Sequence, residues 1–153
     1  MKITAIIAAG GRSVRFGSDK LMLELGGQTV LERSIRAFEQ APSVTDIIVV
    51  TAESRISYVC SLGFSKLRAV VPGGETRAES VRRGLAAAAG SDYIMIHDGA
   101  RPLLSQTVIS DVVEAALRVG AAAPFVALKD SVKLIRGGQV AATIDRDSAL
   151  AGA

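Results

Sequence analysis

The run Asp46-Ile47-Ile48-Val49-Val50-Thr51 constrains this chain more than any other stretch. Consecutive β-branched residues leave no polar face, so the strand they form must be covered on both sides. Such strands belong to parallel sheets, because the connection between parallel neighbours is usually a helix that packs on the sheet. Ile3 to Ala8, Leu67 to Val71, Tyr93 to Ile96 and Ala121 to Val126 are short apolar runs of the same kind. Helical signals lie between them. Thr29-Val30-Leu31-Glu32 has capping-box spacing, and Leu31, Ile35 and Phe38 then share one face ahead of Pro42. A second helix is expected from about Glu53 to Leu62, ending at Gly63. Thr76-Arg77-Ala78-Glu79 opens a third, to about Ala89, and Ser105 caps a fourth reaching Val119, with Val108, Val112 and Ala116 on one face. Leu21 to Leu25 reads as a short extended piece turning at Gly26-Gly27. The expected fold is α/β: a Rossmann-like three-layer sandwich with a mostly parallel sheet.

The C-terminal stretch breaks this rhythm. Ser131 to Ile135 and Gln139 to Ile144 flank Arg136-Gly137-Gly138, which reads as a β-hairpin. Residues 127–147 are therefore expected to form a protruding arm, an edge flap or a dimerisation device, on a single domain spanning 1–153. A chain of 153 residues can bury a core without disulfides, and with 4% aromatics that core falls to Ile, Val, Leu and Ala. The net charge of +3 comes without a long basic run or interleaved aromatics, which argues against nucleic acid. No apolar stretch is long enough to cross a membrane, and the N-terminus is too short for a signal peptide, so a cytoplasmic protein is expected. Cys60 stands alone and is read as a small hydrophobe buried in helix packing.

Open α/β sheets bind ligands at the carboxyl ends of their strands. Polar and glycine-rich clusters follow strands one, three and four here. The first, Ala8 to Lys20, has small residues that admit close approach to the backbone, with Arg15 and Lys20 bracketing its far side. It lacks the Gly-Lys-Ser/Thr of a P-loop and the dinucleotide fingerprint. A triphosphate needs such a cradle, because charge must be neutralised at the attacked phosphorus and on the departing pyrophosphate. The bland alternative is an ordinary strand-to-helix connection. The second, Gly73 to Ser80, places a helix start beside two glycines, where an anion or a ribose could sit; Thr76 and Glu79 are equally explained by capping. The third is His97-Asp98-Gly99-Ala100-Arg101-Pro102. Asp98 could hold Mg²⁺ or bind hydroxyls and Arg101 could clamp a phosphate, or the two could simply shape a turn. His97, the one histidine, has no partner His or Cys with which to share a metal, and reads as a hydrogen-bonded structural residue.

Together the three motifs resemble the 2-C-methyl-D-erythritol 4-phosphate cytidylyltransferase family. The family's Ala-Ala-Gly, Arg-Met-Gly and following Lys look like Ala8-Ala9-Gly10, Arg15-Phe16-Gly17 and Lys20. Its Gly-Gly-x-x-Arg-x-x-Ser-Val looks like Gly73 to Val81, and its His-Asp-x-Ala-Arg-Pro looks like His97 to Pro102. The loop between Gly10 and Arg15 is about one residue longer than usual, Glu75 replaces an Asp, and Ser131 a Thr. The resemblance implies transfer of CMP from CTP to a sugar-alcohol phosphate with Mg²⁺. It implies that Arg15 and Lys20 stabilise the transition state, that Ala8, Ala9, Gly10, Gly74, Glu75 and Ser80 contact the nucleoside, and that Asp98 and Arg101 face the acceptor. It further implies a homodimer through the hairpin, with Ser131 and Arg146 reaching the partner's substrate. It implies a family pattern that continues past Ala153, hence a chain truncated at its C-terminus whose activity alone is open. A transferase for another polyol phosphate, such as ribitol 5-phosphate, shares these motifs; a non-catalytic nucleotide-binding domain is the alternative from a different class.

Overall fold

A computed structural model describes residues 1–11, 19–145 and 149–152. The elements run β1 (Ile3–Ala9), α1 (Val30–Glu39), β2 (Asp46–Thr51), α2 (Glu53–Ser61), β3 (Leu67–Pro72), α3 (Arg77–Ala87), β4 (Tyr93–Asp98), α4 (Gln106–Val119), β5 (Phe125–Ala127), β6 (Val132–Arg136), β7 (Gln139–Ile144) and β8 (Leu150–Gly152). They pack as two compact units, Met1–Ser110 and Asp111–Ala153.

The first unit is a parallel sheet in the order β3-β2-β1-β4. The two central strands, β1 and β2, are the most completely buried, as cover on both faces requires. On one face, Ile7, Ile47 and Val49 pack with Leu31, Ile35 and Phe38 of α1 and Val59 of α2. On the other, Ile6, Ile48 and Val50 pack with Ala88 at the end of α3. Gly84 lets α3 lie directly on the sheet: a Cβ there would stand 2.5 Å from Ile6 Cγ2 and 3.0 Å from Val50 Cγ2. Helix, sheet and helix make the three layers expected from the sequence.

Both capping signals are real, but each is completed in its own way. Thr29 Oγ1 accepts from Glu32 N at 3.0 Å, while the Glu32 carboxylate turns to Arg36 at 2.7 Å instead of returning to the cap. Thr76 Oγ1 accepts from Glu79 N at 3.1 Å, and Glu79 Oε2 accepts from Glu75 N at 3.0 Å. In α4 the most buried residues are Ile109 and Val113, an i, i+4 pair one position beyond the Val108 and Val112 stripe, whose residues are half-buried.

Three expectations need correction. The fifth strand begins after Pro124 rather than at Ala121, because alanines are weak strand formers and proline donates no ladder bond. That strand pairs antiparallel with β8 instead of extending the parallel sheet. Cys60 is exposed: the buried residues of α2 are Arg55 and Val59, and Cys60 is turned about 100° from Val59 around the helix.

The second unit holds the hairpin. β6 and β7 pair antiparallel from Val132↔Ile144 to Arg136↔Gln139. Gly137 and Gly138 close it with φ of 56° and 77°, the two successive positive φ values of a tight hairpin turn. Among the described residues no helix is long and apolar enough to cross a membrane.

Candidate active site

The carboxyl end of β1 is the hub. Thr51 Oγ1, at the end of β2, donates to Ala9 O at 3.3 Å, and Gly73 N donates to Thr51 O at 2.8 Å. The loops after β1 and β3 then touch backbone to backbone. A Cβ on Gly73 would stand 2.8 Å from Gly10 Cα, and one on Gly10 would stand 2.9 Å from Ser80 Oγ. Neither glycine has room for a side chain. The turn after β4 closes on the other side, where Gly99 N donates to Ala8 O at 2.9 Å. Three clusters far apart in sequence thus meet around Ala8, Ala9 and Gly10.

In the second cluster, Ser80 is 3% exposed and its hydroxyl is engaged on both sides. It accepts from Gly74 N and donates to Thr76 O, both at 3.0 Å. Arg83 grips the same loop, donating from Nη1 to Gly73 O at 2.9 Å and from Nη2 to Glu79 Oε1 at 2.6 Å. The Arg83 hydrogen bond, joined by the Glu75 amide, holds the Glu79 carboxyl below its ordinary value. Glu75 is exposed.

In the third cluster, Asp98 binds the second to the third. Its Oδ1 accepts from Arg77 Nε at 3.0 Å and Nη2 at 2.9 Å, and its Oδ2 lies 3.5 Å from Arg101 Nε. The turn is fixed from below by Ser34 of α1, fully buried, whose hydroxyl donates to Gly99 O at 2.8 Å. His97 is structural: its Nε2 donates to Arg101 O at 3.0 Å, and its ring tilts against Phe38 at 5.1 Å. Burial, chiefly, pushes its pKa below the ordinary value, against the hydrogen bond to Arg101 O, so it is neutral near pH 7.

Lys20 is exposed at the tip of a turn. Leu21 N donates to Asp19 Oδ1 at 3.2 Å, Met22 N donates to Asp19 O at 2.9 Å, and Leu21 is buried in the core. Asp19 is paired with Arg55. Of the residues singled out in the sequence, Ala8, Ala9, Gly10, Gly74, Ser80, Asp98 and Arg101 thus cluster at the strand ends, with Glu75 beside them. Arg15 and Arg146 lie outside the described residues. Ser131 is exposed, just ahead of β6 in the second unit. Sequence reasoning assigned no role to Ser34, Arg55, Arg77 or Arg83. Only Arg77, inside the second motif, carried a signal that could have drawn attention to it.

Among the described residues no three His, Cys, Asp or Glu side chains gather to hold a metal. Mg²⁺ needs only one or two carboxylates when substrate phosphates supply the rest, and Asp98 can offer one.

A parallel α/β sheet whose strand-end turns converge on glycines and paired arginines has the arrangement in which open α/β proteins bind their ligands. The chain belongs to a particular family of these proteins: residues 3–152 match the model for 2-C-methyl-D-erythritol 4-phosphate cytidylyltransferase. Its curated relatives include the enzyme of that name from Dehalococcoides mccartyi, 40% identical over 95% of this chain and 67% of its own length. The one from Pelotomaculum thermopropionicum is 41% identical over 95% of this chain and 65% of its own. The chain therefore spans about two thirds of the length of these relatives. Among solved structures, 4-diphosphocytidyl-2C-methyl-D-erythritol synthase from Anaerococcus prevotii superposes with a TM-score of 0.85 at 28% identity, covering 97% of this chain and 66% of that one. A second structure of a synthase of that name gives 0.78 at 31% identity, with 99% and 71% covered.

Proposed function

We propose that this chain carries the cytidylyl-transfer site for 2-C-methyl-D-erythritol 4-phosphate: CMP passes from CTP to the acceptor phosphate and pyrophosphate leaves. The observation that supports this most is the meeting of Gly10, Gly73, Ser80 and Asp98 around one strand end. The acceptor phosphate oxygen attacks the α-phosphorus of CTP in line, forming the new P–O bond as the bond to pyrophosphate breaks. A phosphate monoester is already ionised near neutral pH, so no general base is required. The protein's work is positioning and charge neutralisation.

In this reading Arg15 and Lys20 neutralise charge at the reacting phosphorus. Ala8, Ala9, Gly10, Gly74, Glu75 and Ser80 form the nucleoside side of the cleft. Ser80 acts there mainly by holding Gly74, since its hydroxyl is already engaged twice. Asp98 and Arg101 form the acceptor side. Mg²⁺ held by Asp98 would add positive charge beside the triphosphate. The ion pair with Arg77 holds the Asp98 carboxylate toward the start of α3.

The hairpin is proposed as a homodimer arm, with Ser131 and Arg146 serving the partner's acceptor. Leu134, Ile135, Val140 and Ile144 expose apolar surface on it, which is the kind of surface that finds a partner. A cytoplasmic setting goes with a chain whose only cysteine is free. The test is pyrophosphate release from CTP with Mg²⁺, comparing methylerythritol phosphate with ribitol 5-phosphate as acceptor, in this chain and in a form extended to the relatives' length. Release only with methylerythritol phosphate supports the proposal. Release only with ribitol phosphate, or CTP binding without release in both forms, overturns it.

A further inference from the structure

Arg55 is an arginine that the chemistry just described does not use, and it is 7% exposed. A solvated arginine on the first turn of a helix would be unremarkable; a buried one must have its donors satisfied. All three faces of this guanidinium are taken. Nε donates to Thr51 Oγ1 at 2.9 Å, Nη2 donates to Ala9 O at 2.7 Å, and Nη1 pairs with Asp19. Those partners are not arbitrary. Ala9 is the residue before Gly10, where the first motif leaves β1. Thr51 is the residue whose carbonyl holds Gly73. Asp19 is the residue before Lys20. The Asp19 side chain of this pair is 36% exposed, and ion pairs open to solvent add little to stability. A forked, rigid donor reaching three chosen acceptors is a device for geometry.

We infer that Arg55 is a positioning residue for Lys20. Through Asp19 it fixes the turn that presents Lys20, and through Ala9 O and Thr51 it ties that turn to the strand ends where the glycine loops meet. The Asp19 carboxylate completes the chain of contacts. One oxygen takes Arg55, and the other accepts from Leu21 N, which leads directly into the buried Leu21. Lys20 is therefore held from both sides of its own peptide, at a set place relative to Gly10. Its amine then meets the nucleotide's phosphates without first having to order its backbone. This rests on the proposed nucleotide site, but the anchoring is testable without it.

The first measurement is amide hydrogen exchange on Arg55→Met and Arg55→Lys. Local opening is expected to rise at Leu21 and Met22 by about tenfold or more in Arg55→Met, with Ile48 to Val50 unchanged. Unchanged exchange at Leu21 and Met22 overturns the inference, whatever nucleotide does. The second is CTP affinity by calorimetry with Mg²⁺. Arg55→Met is expected to weaken binding by about tenfold, the scale of a lost charge-assisted contact. Arg55→Lys, which keeps a cation facing Asp19 but not the fork, should recover part of that loss. Glu39→Ala removes the carboxylate that accepts from Ser65 and Lys66 at the amino ends of the strands, and should leave affinity unchanged. Equal weakening in Glu39→Ala and Arg55→Met would mean a general loss of structure, and would overturn the positioning role. A parent chain that fails to bind CTP refutes the proposed function, while the exchange data still decide the anchoring.

Discussion

Strands β2 and β7 are each six residues long and similar in apolar content, yet the last five residues of β2 are buried and all six of β7 are exposed. The two alanines of β7 make it the weaker strand former, but both segments form six-residue strands, so the difference in burial lies in their surroundings. β2 lies between two parallel neighbours with helices on both faces, so every side chain has somewhere to go. β7 has one antiparallel partner in a two-stranded ribbon, and isolated ribbons of this kind are marginal in water. Similar apolar content thus serves two purposes: stability in the first unit and, as proposed, recognition in the second.

The comparison can be broken most directly by truncating one residue from each region. Phe38→Ala, at the centre of the α1 face, should cost about 3–5 kcal/mol of unfolding free energy in urea. Ile135→Ala, on the ribbon, should stay within about 0.5 kcal/mol for the monomer while loosening any dimer seen by sedimentation. Similar costs for the two would erase the distinction. Next in size is Lys20→Ala. It should lower turnover by about 10²–10³-fold with the melting temperature intact, as for removal of one preorganised charge contact at a transition state. An undiminished rate would remove Lys20 from the chemistry. Gly73→Ala sharpens the picture inside the first unit. The added carbon would meet Gly10 Cα at 2.8 Å. The strain should cost about 1–3 kcal/mol, and CTP affinity should fall with it. An alanine accommodated with affinity preserved would show that the two loops need not touch.

The smallest expected effect concerns pH. The His97 pKa is lowered from 6.5 by burial, so below that pH the unfolded chain takes up a proton that the folded one refuses. Stability from this residue is complete above pH 6.5 and is lost as pH falls toward the folded value. His97→Gln should flatten the dependence of melting temperature on pH in that window. An unaltered slope would place the titrating group elsewhere.

Much of the first unit was legible in the sequence because its signals are local. Short apolar runs mark the strands, the β-branched run of β2 most clearly, and Thr with Glu three residues later marks two helix starts. The strand-end position of the three motifs follows from those elements. What was not legible depends on contacts between residues distant in sequence. Nothing near Arg55 announces that α2 turns it inward toward Ala9 and Asp19, and by sequence it is an ordinary helical arginine. Ser34 looks like a weak helix former until Gly99, 65 residues on, is found hydrogen-bonded to it. Cys60 was misread because free cysteines are usually buried, whereas its helix buries the two positions five and one residue before it. The fifth strand slipped because a stretch of alanines is apolar without being strand-forming, and Pro124 set the true start.

Gly84 touches no residue of the cleft, yet it sets how near α3 can come to Ile6 and Val50. That helix carries Arg77 and Ser80 at its other end. A single methyl group at Gly84 would act as a wedge under a lever, tilting the cleft wall by prying at its far end. The placing of Arg77 and Ser80 is thus governed in part by a hydrogen atom on Gly84, at the far end of their helix.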